Sequence, residues 1–227
     1  MGEGIKKSGV PREEIVVTSK IAFYPQTEVP VPSFNANNVK GGEEASFELC
    51  LEQLGLDYVD LLLVHNPCTG NAEYNLAFTT HMFERAHVQG DDNAITLKLP
   101  DGEAIRPLLL AAKLDKMKKE GVDKEAAFTA RKNTWIAMEK IFASGRAKRI
   151  GVSNYTVGLL KEMESYANVM PCINQVELHP ALARPDLQQT CRDMGIVLTA
   201  YGTGFFVKIE QSTVVAAIGE RLNRTPQ

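Results

Sequence analysis

The sequence has no excess of basic residues: 25 Lys and Arg stand against 28 Asp and Glu, for a net charge of −3. That balance offers no footprint for a phosphate backbone, and no polybasic block favours an anionic membrane surface. Four scattered cysteines, Cys50, Cys68, Cys172 and Cys191, form no CxxC pair. A zinc site or thioredoxin-like motif is therefore not expected, and no metal is assigned. Thiols among apolar and small neighbours read as reduced and structural, which suits a reducing compartment. No apolar run approaches the ~20 residues of a spanning helix. The opening Met-Gly-Glu-Gly-Ile-Lys-Lys has no apolar signal region, and Lys6 stands where a myristoylation signal needs Ser or Thr. The expected compartment is cytoplasmic. What remains is an ordinary globular composition, 44% hydrophobic and 23% charged over 227 residues, which argues against disorder and suffices for one sizeable core.

Five short β-branched or leucine-rich runs stand out: Ile15 to Val17, Val59 to Val64, Arg149 to Val152, Cys172 to Leu178 and Ile196 to Thr199. Most are too uniformly apolar for half-exposed strands and read as parallel strands covered on both faces. Helical patterns lie between them, at Glu43 to Leu54, Thr134 to Ala143, Thr156 to Tyr166, Pro185 to Met194 and Val214 to Leu222. Gly55, Gly145 and Gly195 fall just past helices, where a left-handed residue is wanted, and Thr156 is a candidate N-cap. The last three strands recur at intervals of 23 and 24 residues, the beat of βα units. Two stretches break it. Phe23 to Gly42 reads as a Pro- and Asn-rich loop. Asn66 to Lys132 reads as a long insertion, with turn signals at Gly90 to Asn93 and Pro100 to Gly102 and a helix over Ile105 to Lys119.

Polar groups cluster where the apolar runs stop. The first run ends Thr18-Ser19-Lys20, the second Val64-His65-Asn66 and the third Val152-Ser153-Asn154. The fourth carries Asn174, Gln175 and Glu177 before His179-Pro180, and the fifth ends Ala200-Tyr201. Taken singly, each has an ordinary reading. Lys20 could be a rim charge, His65 a satisfied core histidine and Ser153 with Asn154 a helix cap. Gln175 and Glu177 could be polar layer residues, and Tyr201 a buried ring with a wet hydroxyl. Five such groups at the same end of five parallel strands point to a site. In a (β/α) barrel those ends share one mouth. In an open doubly wound sheet they would meet at a switch-point crevice, but no G-x-G-x-x-G follows any strand.

These residues resemble the aldo-keto reductase family. The matching runs are Gly9-Val10-Pro11-Arg12-Glu13-Glu14 with Thr18-Ser19-Lys20, and Leu54-Gly55-Leu56-Asp57-Tyr58-Val59-Asp60 through His65. Gly151-Val152-Ser153-Asn154, Asn174-Gln175-Val176-Glu177-Leu178-His179-Pro180 and Thr199-Ala200-Tyr201 follow in order. The resemblance implies an α/β fold, a (β/α)8 TIM barrel of aldo-keto reductase type. It is expected to be incomplete, with about five of eight strands in one partial domain over 1–227 and an insertion around 66–132. It also implies an NADPH-dependent oxidoreductase that reduces an aldehyde or ketone to an alcohol by hydride transfer.

In that family a tyrosine is the acid, a lysine lowers its pKa, an aspartate pairs with the lysine and a histidine orients the carbonyl. Carried over, Lys20 is the lysine and His65 the histidine. Ser153, Asn154 and Gln175 would hydrogen-bond the nicotinamide carboxamide, and Tyr201 would stack on the ring.

The departures from the family pattern set further expectations. The family's tyrosine and aspartate precede the matched segment, and its eighth strand and 2′-phosphate loop follow it. The chain is thus expected to be truncated at both ends and impaired in catalysis. Tyr24, in a Pro-rich loop, is a poor replacement acid. Gly202-Thr203-Gly204-Phe205-Phe206 replaces the usual Ser-Pro-Leu-Gly, and Asn66 stands where many members have tryptophan. The alternative is a non-catalytic barrel fragment or pseudoenzyme that at most binds nucleotide or a partner. An open barrel would expose its edges, with Val17, Leu62, Leu63, Val64, Ile173 and Val197 at or near the open side, and so favour self-association.

Overall fold

The computed structural model describes residues 1–21, 42–67, 124–179, 182–202 and 213–225. The chain divides into two compact units, Met1–Arg149 and Ile150–Gln227.

The first unit opens with a short helix α1 (Gly2–Ser8) and a 3-10 turn at Arg12–Glu14. Strands β1 (Thr18–Ile21) and β2 (Leu61–Val64) pair in parallel, from Thr18 opposite Leu61 to Ile21 opposite Val64. Helix α2 (Gly42–Leu54) lies between them in sequence and buries Phe47 and Leu51. Helix α3 (Lys124–Ala143) buries Trp135, Met138 and Ile141. Polar contacts tie the two helices: Thr134 Oγ1 donates to Glu43 Oε1 at 2.5 Å, and Lys140 pairs with Glu44 at 3.8 Å. Beyond α3, Arg146 pairs with Glu48 at 2.5 Å, and Ala147 bridges Val59 in parallel. The C-terminus of α2 closes as its sequence dictates. Gly55 takes φ 63, and Leu56 N–H donates back to the Leu51 carbonyl at 3.1 Å.

The second unit is a parallel sheet of β3 (Ile150–Ser153), β4 (Ile173–Glu177) and β5 (Val197–Tyr201). Helices α4 (Val157–Met163) and α5 (Pro185–Asp193) connect the strands, and α6 (Thr213–Leu222) follows. Thr156 caps α4, its Oγ1 accepting from Leu159 N–H at 3.4 Å. Its buried apolar residues include Ile150, Val152, Tyr155, Leu160, Met163, Val176, Leu187 and Ile196.

The structure corrects several boundaries. β1 covers Thr18–Ile21 rather than Ile15 to Val17, so Lys20 lies inside a strand. Val16 is 79% exposed, and the Val17 N–H is taken by the Asp60 carboxylate at 2.9 Å. Tyr201 is likewise the last residue of β5. α3 begins at Lys124, so the expected insertion 66–132 ends inside a helix. The rest of that insertion, the loop at 23–41 and its Tyr24 lie outside the described residues. Val17, Leu62, Leu63 and Val64 are buried rather than exposed, whereas Val197 is 59% exposed.

Candidate active site

In the first unit, Lys20 and Leu63 are register partners, and His65 lies two residues past Leu63. Side chains two apart share a strand face, so Lys20 and His65 stand on one face at the C-terminal ends of neighbouring strands. The ladder reaches that far, since His65 N–H donates to the Ile21 carbonyl at 2.9 Å. Burial and then the Lys20 ammonium push the His65 imidazole down from 6.5 to about 4. At neutral pH the ring is therefore an uncharged donor–acceptor. Burial also lowers the Lys20 ammonium.

In the second unit, Ser153 is the register partner of Gln175, and Gln175 that of Thr199. Asn154 follows β3 with φ 64, a left-handed conformation that asparagine tolerates better than most residues. Its backbone N–H donates to the Gln175 carbonyl at 3.0 Å, and the Ser153 hydroxyl donates to the same carbonyl at 2.7 Å. Asn154 Nδ2 donates to Ser153 Oγ at 3.2 Å, and the Tyr201 hydroxyl donates to Asn154 Oδ1 at 2.6 Å. Ser153, Asn154 and Tyr201 thus form one connected network. The Gln175 amide makes no hydrogen bond among the described residues, so its donor and acceptor are uncommitted there.

A flat carboxamide needs both a donor and an acceptor, and a stacked ring needs an aromatic face. Gln175, Asn154, Ser153 and Tyr201 supply that set, so the residues present fit a nicotinamide.

Behind this row, Asn174 is fully buried and clamps Tyr155. Its Nδ2 donates to the Tyr155 carbonyl at 2.9 Å, and its Oδ1 accepts from the Tyr155 N–H at 3.3 Å. The clamp fixes the backbone next to Asn154. Sequence reading placed Asn174 in the matched run but gave it no role, because a side chain bonded to a neighbouring backbone leaves no mark on periodicity. It also missed the pairing of Glu177 with His179, whose Nε2 lies 3.1 Å from Glu177 Oε1. Among the described residues no group of three His, Cys, Asp or Glu could hold a metal ion, and no helix is long and apolar enough to cross a membrane.

Parallel strands separated by helices, with polar groups at the strand ends, are the pattern of (β/α) barrels and of open doubly wound sheets alike. The sequence profile of the aldo/keto reductase family matches residues 1–210, and the chain belongs to that family. Its fold is of the (β/α)8 barrel type, with five strands among the described residues. The chain is 29% identical to the glyoxal reductase of Bacillus subtilis over 225 residues, 99% of this chain and 56% of that protein. It is 35% identical to aldose reductase B of Dictyostelium discoideum over 78% of this chain and 47% of that one. Aldehyde reductase YPR1 of Saccharomyces cerevisiae is 31% identical over 88% of this chain and 51% of its own length. An aldo-keto reductase of Bombyx mori, solved in complex with NADP, superposes with a TM-score of 0.62 at 22% identity, covering 99% of this chain and 58% of that one. The chain spans about half the length of the curated relatives it matches.

Proposed function

We propose that this chain carries the nicotinamide-binding and carbonyl-orienting part of an NADPH-dependent oxidoreductase that interconverts an aldehyde or ketone and its alcohol. The observation that carries the reading is the Ser153–Asn154–Tyr201 network beside the uncommitted Gln175 amide. In this reading Ser153, Asn154 and Gln175 hold the carboxamide of NADPH, and the Tyr201 ring lies against the pyridine. When bound, the reduced nicotinamide supplies a hydride. His65, uncharged at neutral pH, donates an N–H to the carbonyl oxygen and so orients it. The Lys20 ammonium adds positive charge where negative charge develops on that oxygen. The names of the relatives, glyoxal, aldose and aldehyde reductases, support a small carbonyl substrate.

Residues 1–227 read as one barrel domain with an insertion near 66–132, in a cytoplasmic setting that suits the free thiols of Cys50 and Cys191. The family's tyrosine acid and its aspartate have no counterpart in the matched runs. The chain by itself is therefore expected to turn over slowly, short by the ~10²–10⁴-fold that general acid help supplies.

Titration of the purified chain with NADPH, followed by nucleotide fluorescence, tests the cofactor reading, and absence of binding would refute it. A parallel assay with a reactive aromatic aldehyde tests impairment, which turnover at a normal family rate would refute.

A further inference from the structure

Glu177 is the register partner of Tyr201 and lies two residues past Gln175, so its side chain shares their face of the sheet. Its carboxylate meets His179 Nε2 at 3.1 Å. The His179 side chain is only 6% exposed, and its Nδ1 is buried with no hydrogen-bond partner. That orphan atom decides the charge of the pair. A proton on Nδ1 would be a buried N–H without an acceptor, beside a ring already charged by its second proton. An unprotonated Nδ1 leaves only an unmet lone pair, which costs less. The favoured state is an imidazole that donates from Nε2 to an ionised Glu177, and the pair carries a net negative charge. Arg184 does not cancel it. Its Nε donates to the Glu177 backbone carbonyl at 3.0 Å, its side chain is exposed, and no cation ion-pairs with the Glu177 carboxylate among the described residues.

We propose that Glu177, held in place by His179, is a charge-setting residue that favours the oxidised over the reduced nicotinamide. The proposal rests on the reading of Gln175 and Tyr201 as nicotinamide contacts. Oxidised nicotinamide carries a positive ring charge and the reduced ring is neutral, while the phosphates of the two dinucleotides are the same. A fixed anion one row from Gln175 therefore lowers the free energy of the oxidised form selectively. Glu177 touches neither reacting atom in this account; it acts through the field it sets up at the ring.

The test is the ratio of Kd values for NADP+ and NADPH, measured by calorimetry for the unaltered chain, E177Q and E177D. E177Q is expected to weaken NADP+ relative to NADPH by about threefold or more, the scale of one partly screened charge pair. E177D, which keeps the charge, is expected to retain most of the original ratio. If E177Q does not fold, E177M, neutral and of similar shape, takes its place. An unchanged ratio in the neutral variant, with both dinucleotides still bound, overturns this inference and leaves the cofactor reading standing. Equal loss of discrimination in E177D and E177Q would assign the effect to packing and also overturn it. Failure of the unaltered chain to bind either dinucleotide overturns the cofactor reading itself, and this inference with it.

Discussion

The Tyr201 hydroxyl donates to Asn154 Oδ1 at 2.6 Å across 47 positions of sequence. The bond ties the end of β5 to the residue after β3, with β4 and its Gln175 between them. It also orients the Asn154 amide, leaving Nδ2 to donate to Ser153.

Tyr201→Phe keeps the ring and removes this donor. NADPH binding to the variant is expected to weaken by about 0.5–1.5 kcal/mol, the net worth of one hydrogen bond. Calorimetric titration beside the unaltered chain reads the difference. No change would show that the Asn154 orientation is set without the tyrosine.

Asn154 also tests the backbone. At φ 64, Asn154→Ala places a Cβ in a conformation that costs alanine about 1–2 kcal/mol, whereas Asn154→Gly carries no such strain. Both variants lose the amide. The glycine variant is expected to be the more stable of the two in urea unfolding, while both lose NADPH affinity. Equal stability would contradict the backbone argument.

His65 gives a pH signature. Its folded pKa of about 4 lies below the unfolded value of 6.5, so the folded state binds its proton less readily. The stability that this difference confers is complete above pH 6.5 and is lost as pH falls towards about 4. His65→Gln should flatten the slope of stability against pH in that window, measured by urea melts at several pH values. A slope identical to that of the unaltered chain would count against a buried, Lys20-facing imidazole.

At the opposite ends of β1 and β2, Asp60 gathers three partners. It accepts from the Val17 N–H at 2.9 Å, pairs with Arg12 at 2.9 Å and with Lys148 at 3.5 Å. Arg12 and Lys148 each lie 4.0 Å from the centroid of the Tyr58 ring. Burial works to raise the Asp60 carboxyl, yet Val17, Arg12 and Lys148 together hold it below 3.8. This contribution is present above pH 3.8 and is lost as pH falls through the lower folded value. Asp60→Ala is expected to cost about 1–3 kcal/mol, since it removes the acceptor of the Val17 N–H and the counter-charge of Arg12, which keeps its bonds to the Ile15 and Tyr58 carbonyls at 2.6 and 3.0 Å. Thermal unfolding checks it, and a shift within error would show that the Ile15 and Tyr58 carbonyls suffice for Arg12.

Self-association is a further expectation. Val197 is exposed on β5, and Val214, Ile218 and Leu222 form an exposed stripe along α6, at 67%, 42% and 58%. Light scattering is expected to show association that Val197→Lys reduces. A monodisperse monomer with a sharp melt would remove this prediction.

The order of strands and most helices were legible because apolar periodicity and glycine stops are local signals, but α1 and the first turns of α3 were not. Gly55 and Gly195 sit at φ 63 and φ 68 just past α2 and α5, as their positions suggested. The strand limits were not. Thr18, Ser19 and Lys20 look like the end of a strand, but a parallel strand whose inner face serves a site carries polar residues inside the ladder. Tyr201, expected where the fifth run stops, is the last residue of β5. The motif residues themselves were readable only as a set. Lys20 and His65 gain meaning from a register that joins positions far apart in sequence. The Glu177–His179 pair depends on a buried nitrogen that no spacing rule reveals.

The contacts that fasten α2 to α3 bear on how this lineage can change. Thr134 with Glu43, and the exposed Lys140–Glu44 pair, link the two helices to each other directly. Loop-closure entropy grows only logarithmically, so doubling the stretch from Pro67 to Lys124 costs about 0.6 kcal/mol. Its length and composition can drift widely without loosening the helices on either side. Evolution can therefore rewrite this segment while Ser153, Asn154, Gln175 and Tyr201, the proposed nicotinamide contacts, stay on or beside strands that do not have to move.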